Sequence, residues 1–311
     1  MSKKYPISRE FFPLFLYTPK MTRAEIARAN RLYKPPRRLF RDPELEVRSV
    51  MIPGFKGDPI ELMVIEPKGI EHPAPCFINI HGGGFVYEGT SAHYKHAVNY
   101  AKSARCIVLY VRYRLGPEFT FPYPQEDCYA ALVWIHEHAE ELGIDPDRIG
   151  IGGDSAGGTL AVTSCMMARD RGTGIRPLFQ LLIYPFLDRR GVSESYRKYT
   201  DTPVWNSTLS KKVNEFINLR PEDTPLAYRS PVEAGSFEGL PPAYIEVAEF
   251  DALRDDGILY SRLLQEAGID VEFHDTRGTM HGFDYMTKAP TTRKMEAMRI
   301  GYMKRRFMAK R

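Results

Sequence analysis

From Cys76 onward the chain alternates short apolar runs with longer amphipathic stretches, and that rhythm restricts the fold more than any other feature. The runs are CFINIH, CIVLYVRY, RIGIGG, LFQLLIYPF and AYIEVAEFD. Between them lie stretches of helical character, including Asp127 to Leu142, Ser155 to Arg169 and Asp256 to Ala267. Apolar runs of this length separated by helices predict parallel strands buried on both faces, the α/β arrangement. Upstream, LEVRSVMIPG and IELMVIEPKG predict two strands joined by a glycine-containing turn. Downstream, DVEFHD predicts a last strand, and a long terminal helix starts at Thr291.

Two segments break the alternation. Residues 1–42 have helical stretches but no strand partner, and residues 187–232 are far longer than a usual connection. Both are expected to pack together as one helical cap over a core of residues 43–186 and 233–311, because long insertions in α/β folds cover the strand ends. The aromatic cluster FFPLFLY in the first segment is expected in the core of that cap and in one wall of a pocket.

The densest glycine cluster, RIGIGGDSAGGTLAV (Arg148 to Val162), sits where one apolar run meets a helix-like stretch. A phosphate cradle is a poor reading, since Gly158 fills the position where a P-loop needs lysine. A dinucleotide fingerprint fails too, because Ser155 occupies its third glycine position. What remains is G-x-S-x-G, from Gly153 to Gly157, which holds a serine on a sharp strand-to-helix turn.

A serine hydroxyl is a weak nucleophile that needs a histidine base oriented by a carboxylate. Where G-x-S-x-G carries the serine, the acid and then the histidine follow it in the chain. Only His274 and His281 lie downstream of Ser155. His274 falls inside the predicted last strand, whereas His281 follows it in TRGTMHGFDYM, between Gly278 and Gly282, where a base is expected. The acid candidates are Asp188, Glu249, Asp251, Asp255 and Asp256. Asp251 is favoured because it lies just past the run AYIEVA; Asp255 and Asp256 fall at a helix start, where acids cap and meet the dipole. Asp188 stands at the start of the insertion, where it is as well placed to anchor it. The run NIHGGGFVY offers bare backbone to an oxyanion, with the N–H groups of Gly83, Gly84 and Ala156 as donors and His81 tethering the loop.

HGGGF (His81 to Phe85) and GDSAGG (Gly153 to Gly158) together resemble the signatures of the hormone-sensitive-lipase-like esterases, the bacterial family IV branch of the α/β-hydrolases. YRLGPEFTFP (Tyr113 to Pro122), DALRDDG (Asp251 to Gly257) and HGF (His281 to Phe283) resemble further blocks of that family, over a span from Ile60 to Phe283. Ala252 stands where proline is usual, and Gly116 and Phe119 replace the commoner alanine and histidine; none of these touches a reacting group. The resemblance implies an α/β-hydrolase fold, a mostly parallel sheet flanked by helices. It also implies a nucleophile at Ser155, an acid at Asp251, a base at His281, and hydrolysis of short-to-medium acyl esters without a cofactor. Sugar acetates, lactones or amides could be cut by the same triad. Some relatives bind a small hormone after losing the catalytic histidine; His281 is present here, which argues against such a receptor. Related enzymes often pair through the sheet edge, so a homodimer is compatible with the sequence but not required by it.

The remaining features exclude other classes. The formal charge of +4 is concentrated in Lys3, Lys4, Lys304, Arg305, Arg306, Lys310 and Arg311, leaving a net negative body with no basic surface for nucleic acid. The basic C-terminus reads as a solvated helix end. Cys76, Cys106, Cys128 and Cys165 are scattered, as buried thiols of a reducing compartment would be. No apolar run approaches the ~18 residues of a membrane span, and Arg9, Glu10 and Pro13 interrupt any signal peptide, so the cytoplasm is expected. His93 and His96, and His136 and His138, lie on predicted helices without a metal motif and are expected as surface residues.

Overall fold

The computed structural model describes residues 4–36, 38, 41–217 and 224–309. In chain order the first elements are α1 (Arg23–Leu32), β1 (Leu45–Pro53), β2 (Pro59–Pro67), β3 (Ala74–Ile80), α2 (Ser91–Ala104), β4 (Ile107–Arg112) and α3 (Tyr123–Glu137). Then come β5 (Ile144–Asp154), α4 (Ala156–Asp170), β6 (Gln180–Ile183), α5 (Glu194–Lys198), α6 (Ser207–Phe216) and α7 (Leu226–Arg229). The last are β7 (Ala243–Phe250), α8 (Arg254–Glu266), β8 (Val271–Met280) and α9 (Pro290–Met308).

The strands form one eight-stranded sheet in the order β1-β2-β4-β3-β5-β6-β7-β8. β1 and β2 make the expected hairpin, and β2 runs antiparallel to β4; every later pair is parallel. The interior strands β3, β4, β5 and β6 are apolar on both faces because helices cover both. The C-terminal ends of β5 and β7 and the end of β8 therefore meet at one rim, each leading directly into a loop or helix.

Several boundaries differ from expectation. α3 starts at Tyr123, with Pro124 in its first turn, where a fixed φ suits a helix start. The run LFQLLIYPF contributes only four strand residues, since Tyr184 at φ 35° turns the chain out of the sheet. β8 continues through TRGTM, absorbing Gly278 at φ 70° where its register with β7 shifts. Gly278 thus belongs to the strand, and His281 follows immediately after it.

The N-terminal segment and the insertion after β6 touch each other. Val204 N–H donates to Tyr17 O at 2.8 Å, and Tyr5 Oη and Lys4 Nζ reach Asp201 at 2.6 and 2.8 Å. Asn30 of α1 fastens the segment to the core, giving Nδ2–H to Val86 O and taking Glu88 N–H at 2.7 and 2.9 Å. The expected aromatic core forms only in part. Phe11 is buried edge-on to Phe283 at 5.7 Å, whereas Phe12 and Leu16 are exposed. Residues 218–223 of the insertion, 37 and 39–40 of the N-terminal segment, and the terminal Lys3, Lys310 and Arg311 lie outside the described residues.

Candidate active site

Ser155 occupies the turn between β5 and α4 at φ 51° and ψ −118°, a conformation that L-residues adopt only under constraint. The constraint is visible on both sides. Ser155 N–H donates to Ile183 O at 2.9 Å, and Phe186 N–H donates to Ser155 O at 3.2 Å. A Cβ on Gly157 would collide with the Ile80 carbonyl oxygen, so only glycine lets α4 approach β3 this closely. Ala156 opens α4, where helix N–H groups have no intrahelical partner and the dipole is positive.

Two loops bring the other side chains to this hydroxyl. His281 Nε2 lies 3.0 Å from Ser155 Oγ, and His281 Nδ1 lies 2.7 Å from Asp251 Oδ2. A carboxylate only accepts, so Nδ1 carries the proton and the Nε2 lone pair meets the serine hydroxyl. Asp251 is fully buried, and its other oxygen takes the Leu253 N–H at 3.0 Å. The rival acids go elsewhere. Asp256 takes Leu187 N–H and Asp188 N–H, and Asp255 takes Ser195 N–H, so both hold the insertion instead of serving as simple helix caps. Asp188 binds the Arg190 guanidinium, and Glu249 takes Gly278 N–H. His274 lies in β8 beside Glu272, remote from this cluster.

The glycine loop after β3 is held from below by Asp154, the residue just before the serine. Its Oδ1 takes the Gly82 N–H at 3.0 Å, and its Oδ2 meets His93 Nε2 at 3.1 Å. Burial would raise the Asp154 pKa, but His93 and the Gly82 N–H outweigh it and hold the carboxyl at about 2. His93 is therefore not the expected surface residue. It caps α2, its Nδ1 accepting Thr90 N–H at 2.8 Å, which points Nε2–H at Asp154. His96 is buried too, between Glu296 at 2.6 Å and the Asp284 carbonyl at 3.0 Å. Both rings face inward because α2 packs its histidine side against the sheet and α9. His136 and His138 remain partly exposed, with His138 stacked on Trp134. His81 is sandwiched between Tyr110 and Tyr113, donates to Gly82 O, and is pushed by burial to a pKa of about 4. It is the neutral tether of the loop.

Gly83 and Gly84, at φ 107° and 60°, line a cavity of about 270 Å³ together with Ser155 and His281. A Cβ on Gly84 would lie 2.6 Å from Trp205 Cη2, so this indole closes over bare backbone. Trp205 and Val204 come from the insertion, Tyr17 and Tyr33 from the N-terminal segment, and Tyr87 and Tyr285 from the core. Sequence reasoning missed this aromatic wall, apart from the expectation for the FFPLFLY cluster that contains Tyr17. It missed the Asp154–His93 brace as well, although Thr90 three residues before His93 is a capping pattern that could have signalled it. Among the described residues, no group of three or more His, Cys, Asp or Glu side chains is placed to hold a metal ion.

The sequence pattern of the alpha/beta hydrolase fold matches residues 77–285. The chain belongs to that family. This hydrolase is 38% identical over 247 residues to Esterase LipI of Mycobacterium tuberculosis, covering 78% of this chain and 76% of that protein. It is 36% identical over 266 residues to Carboxylesterase NlhH of the same organism, covering 83% and 82%. Among solved structures it resembles a bacterial heroin esterase with a TM-score of 0.88 and 35% identity, covering 98% of this chain and 99% of that one. These likenesses place the hydrolase in the hormone-sensitive-lipase-like esterase branch. Among the described residues no helix is long and apolar enough to cross a membrane.

Proposed function

We propose that Ser155, His281 and Asp251 form the catalytic triad of this protein, with the N–H groups of Gly83, Gly84 and Ala156 as its oxyanion hole. The chain is a carboxylic ester hydrolase. The observation that carries the assignment is the unbroken line of hydrogen bonds from Ser155 Oγ through the imidazole to Asp251, at 3.0 and 2.7 Å. His281 Nε2 takes the serine proton as Oγ attacks the ester carbonyl. The carbonyl oxygen becomes an oxyanion held by the three N–H groups, and its collapse expels the alcohol with the proton from His281. Water, deprotonated by the same imidazole, then releases the acid from the acyl-serine. Asp251 holds the tautomer and balances the imidazolium.

The cavity of about 270 Å³ is smaller than the ~300–1,000 Å³ of drug-sized ligand sites, which supports short acyl esters as substrates. The N-terminal segment and the 187–232 insertion act together as the cap that limits it. The four buried thiols support a reducing compartment, the cytoplasm. β8 ends the sheet with one side unpaired among the described residues, which supports an edge-to-edge homodimer.

Ser155→Ala tests the triad. It should lower p-nitrophenyl acetate turnover by orders of magnitude and leave thermal unfolding nearly unchanged. Undiminished turnover in a clean preparation excludes the mechanism. Asp251→Asn should cost up to about 10⁴-fold in kcat; a greater loss in Asp255→Asn or Asp256→Asn would move the acid.

A further inference from the structure

The N-terminal segment has an outer face that the fold leaves bare. Residues 1–42 carry eleven lysines and arginines against Glu10, Glu25 and Asp42, so this segment stands at +8 while the rest of the chain stands at −4. The three acids are occupied. Glu10 takes the Thr291 hydroxyl at 2.6 Å, Glu25 takes the Met21 N–H at 2.7 Å, and Asp42 pairs with Lys102 at 3.2 Å. Lys20, Arg28, Arg31 and Lys34 are exposed and make no ion pair among the described residues. The same segment holds four of the eight large apolar side chains that are exposed among the described residues, Phe12, Leu16, Tyr17 and Leu32. Leu16 and Leu32 stand furthest into solvent, at 85% and 65% exposed.

These groups share one patch. Tyr17 and Tyr33 meet hydroxyl to hydroxyl at 3.3 Å, which brings their chain neighbours Leu16 and Leu32 to the same place. On α1, Arg28 lies one turn before Leu32 with Arg31 beside it, so leucine and cations crown one helix face. Tyr17 and Tyr33 also line the cavity that holds Ser155, so the patch borders its mouth. A nucleic acid would meet the cations but leave the leucines in water. A lipid layer takes both, with headgroup phosphates against the cations and the leucines sunk to the acyl boundary. We propose that this face docks on an anionic lipid–water interface. Docking of this kind lies in the plane of the interface and needs no spanning helix. It turns the cavity mouth towards the lipid, so that acyl esters in the layer reach Ser155 directly. That last consequence, but not the docking, rests on Ser155, His281 and Asp251 being the hydrolytic centre.

Flotation with mixed phosphatidylcholine–phosphatidylglycerol vesicles should carry the whole protein to the lipid layer, whereas vesicles of phosphatidylcholine alone should not. Sodium chloride should weaken the binding. Arg28→Gln and Arg31→Gln should each lower the partition coefficient about fivefold, as expected for a cation at the headgroup surface. Leu16→Ser and Leu32→Ser should each lower it about tenfold, by removing apolar area from the lipid. Both leucines stand in solvent, so thermal unfolding should be unchanged and confirms that the variants are folded. Lys304→Gln, which removes one exposed charge from α9, should leave the partition coefficient as it is. Failure of the folded wild type to float with the anionic vesicles at low salt overturns the proposal. Binding that neither leucine variant weakens, and that a DNA duplex matches in affinity, reveals a general polyanion surface and overturns the lipid assignment. A loss in Lys304→Gln equal to that in Arg28→Gln overturns the placement on this face. Ser155→Ala should float like the wild type, so the docking is judged apart from the hydrolytic reading, whose own failure shows only in the p-nitrophenyl acetate assay.

Discussion

Asp154 adjoins the serine in the chain, yet its carboxylate turns away from it, to the Gly82 N–H and His93. It thus couples the serine turn, the glycine loop and the first turn of α2 through one charge. In Asp154→Asn one amide oxygen can still accept from Gly82, but the amide NH₂ then opposes the His93 Nε2–H, donor against donor. Kinetics should show kcat falling by about 10- to 100-fold with KM little changed, as expected when oxyanion donors lose their placement. His81, on the same loop, gives a pH signature. Its folded pKa of about 4 lies below the ordinary 6.5, so the unfolded chain binds the proton first. The stability that His81 contributes is complete above pH 6.5 and is lost as pH falls towards 4. The gap in chemical-denaturation stability between wild type and His81→Gln should therefore narrow across that window. Reading the sequence singled out Ser155, Asp251 and His281, which the fold brings within hydrogen-bond distance of one another, because motif, chain order and position past a strand end narrow the choice of a candidate nucleophile, acid and base. It could not orient His93, since helical spacing does not say which neighbour waits beneath the helix.

At the scale of elements, the insertion after β6 was visible from its length, while its inner face was not. Trp205 looks like any lone aromatic in the sequence; only the fold reveals that its ring lies on Gly84 and tilts towards His281 at 6.0 Å. Its indole N–H is anchored to Ser210 Oγ at 2.8 Å, at the start of α6, which makes it a fixed wall. Trp205→Ala removes that wall from a short cavity. The acyl-chain optimum for p-nitrophenyl esters should move to longer chains, with turnover of the acetate falling as contacts are lost. A kinetic series from acetate to decanoate measures both changes. The strand boundaries that reading missed have a similar origin, because β8 continues through Gly278 only where the neighbouring β7 permits a register shift.

For the whole molecule, the alternation of apolar runs and helices predicted a mostly parallel sheet, but no local pattern announces which charge will end in its centre. The last helix, read only as a basic solvated end, carries Arg299 fully buried against the sheet. Its guanidinium grips Glu246 of β7 through Nε and Nη2, at 3.0 and 2.6 Å, and Asp284 through Nη1 at 2.9 Å. Asp284 follows His281 by three residues and takes the Tyr184 hydroxyl, while the Tyr184 ring lies 4.6 Å from the His281 imidazole. The C-terminal helix is thereby tied to the ring that backs the candidate base. Arg299→Met would strand two carboxylates away from water, which costs about 3–5 kcal/mol when one partner of a buried pair is removed. Calorimetry should show a large fall in melting temperature for the single variant. Adding Glu246→Gln should restore part of it, because the double variant no longer buries that uncompensated charge. If the tie also positions His281, Arg299→Met assayed well below its own melting point should lose kcat, and the double variant, in which Asp284 still lacks its guanidinium, should recover stability without recovering rate.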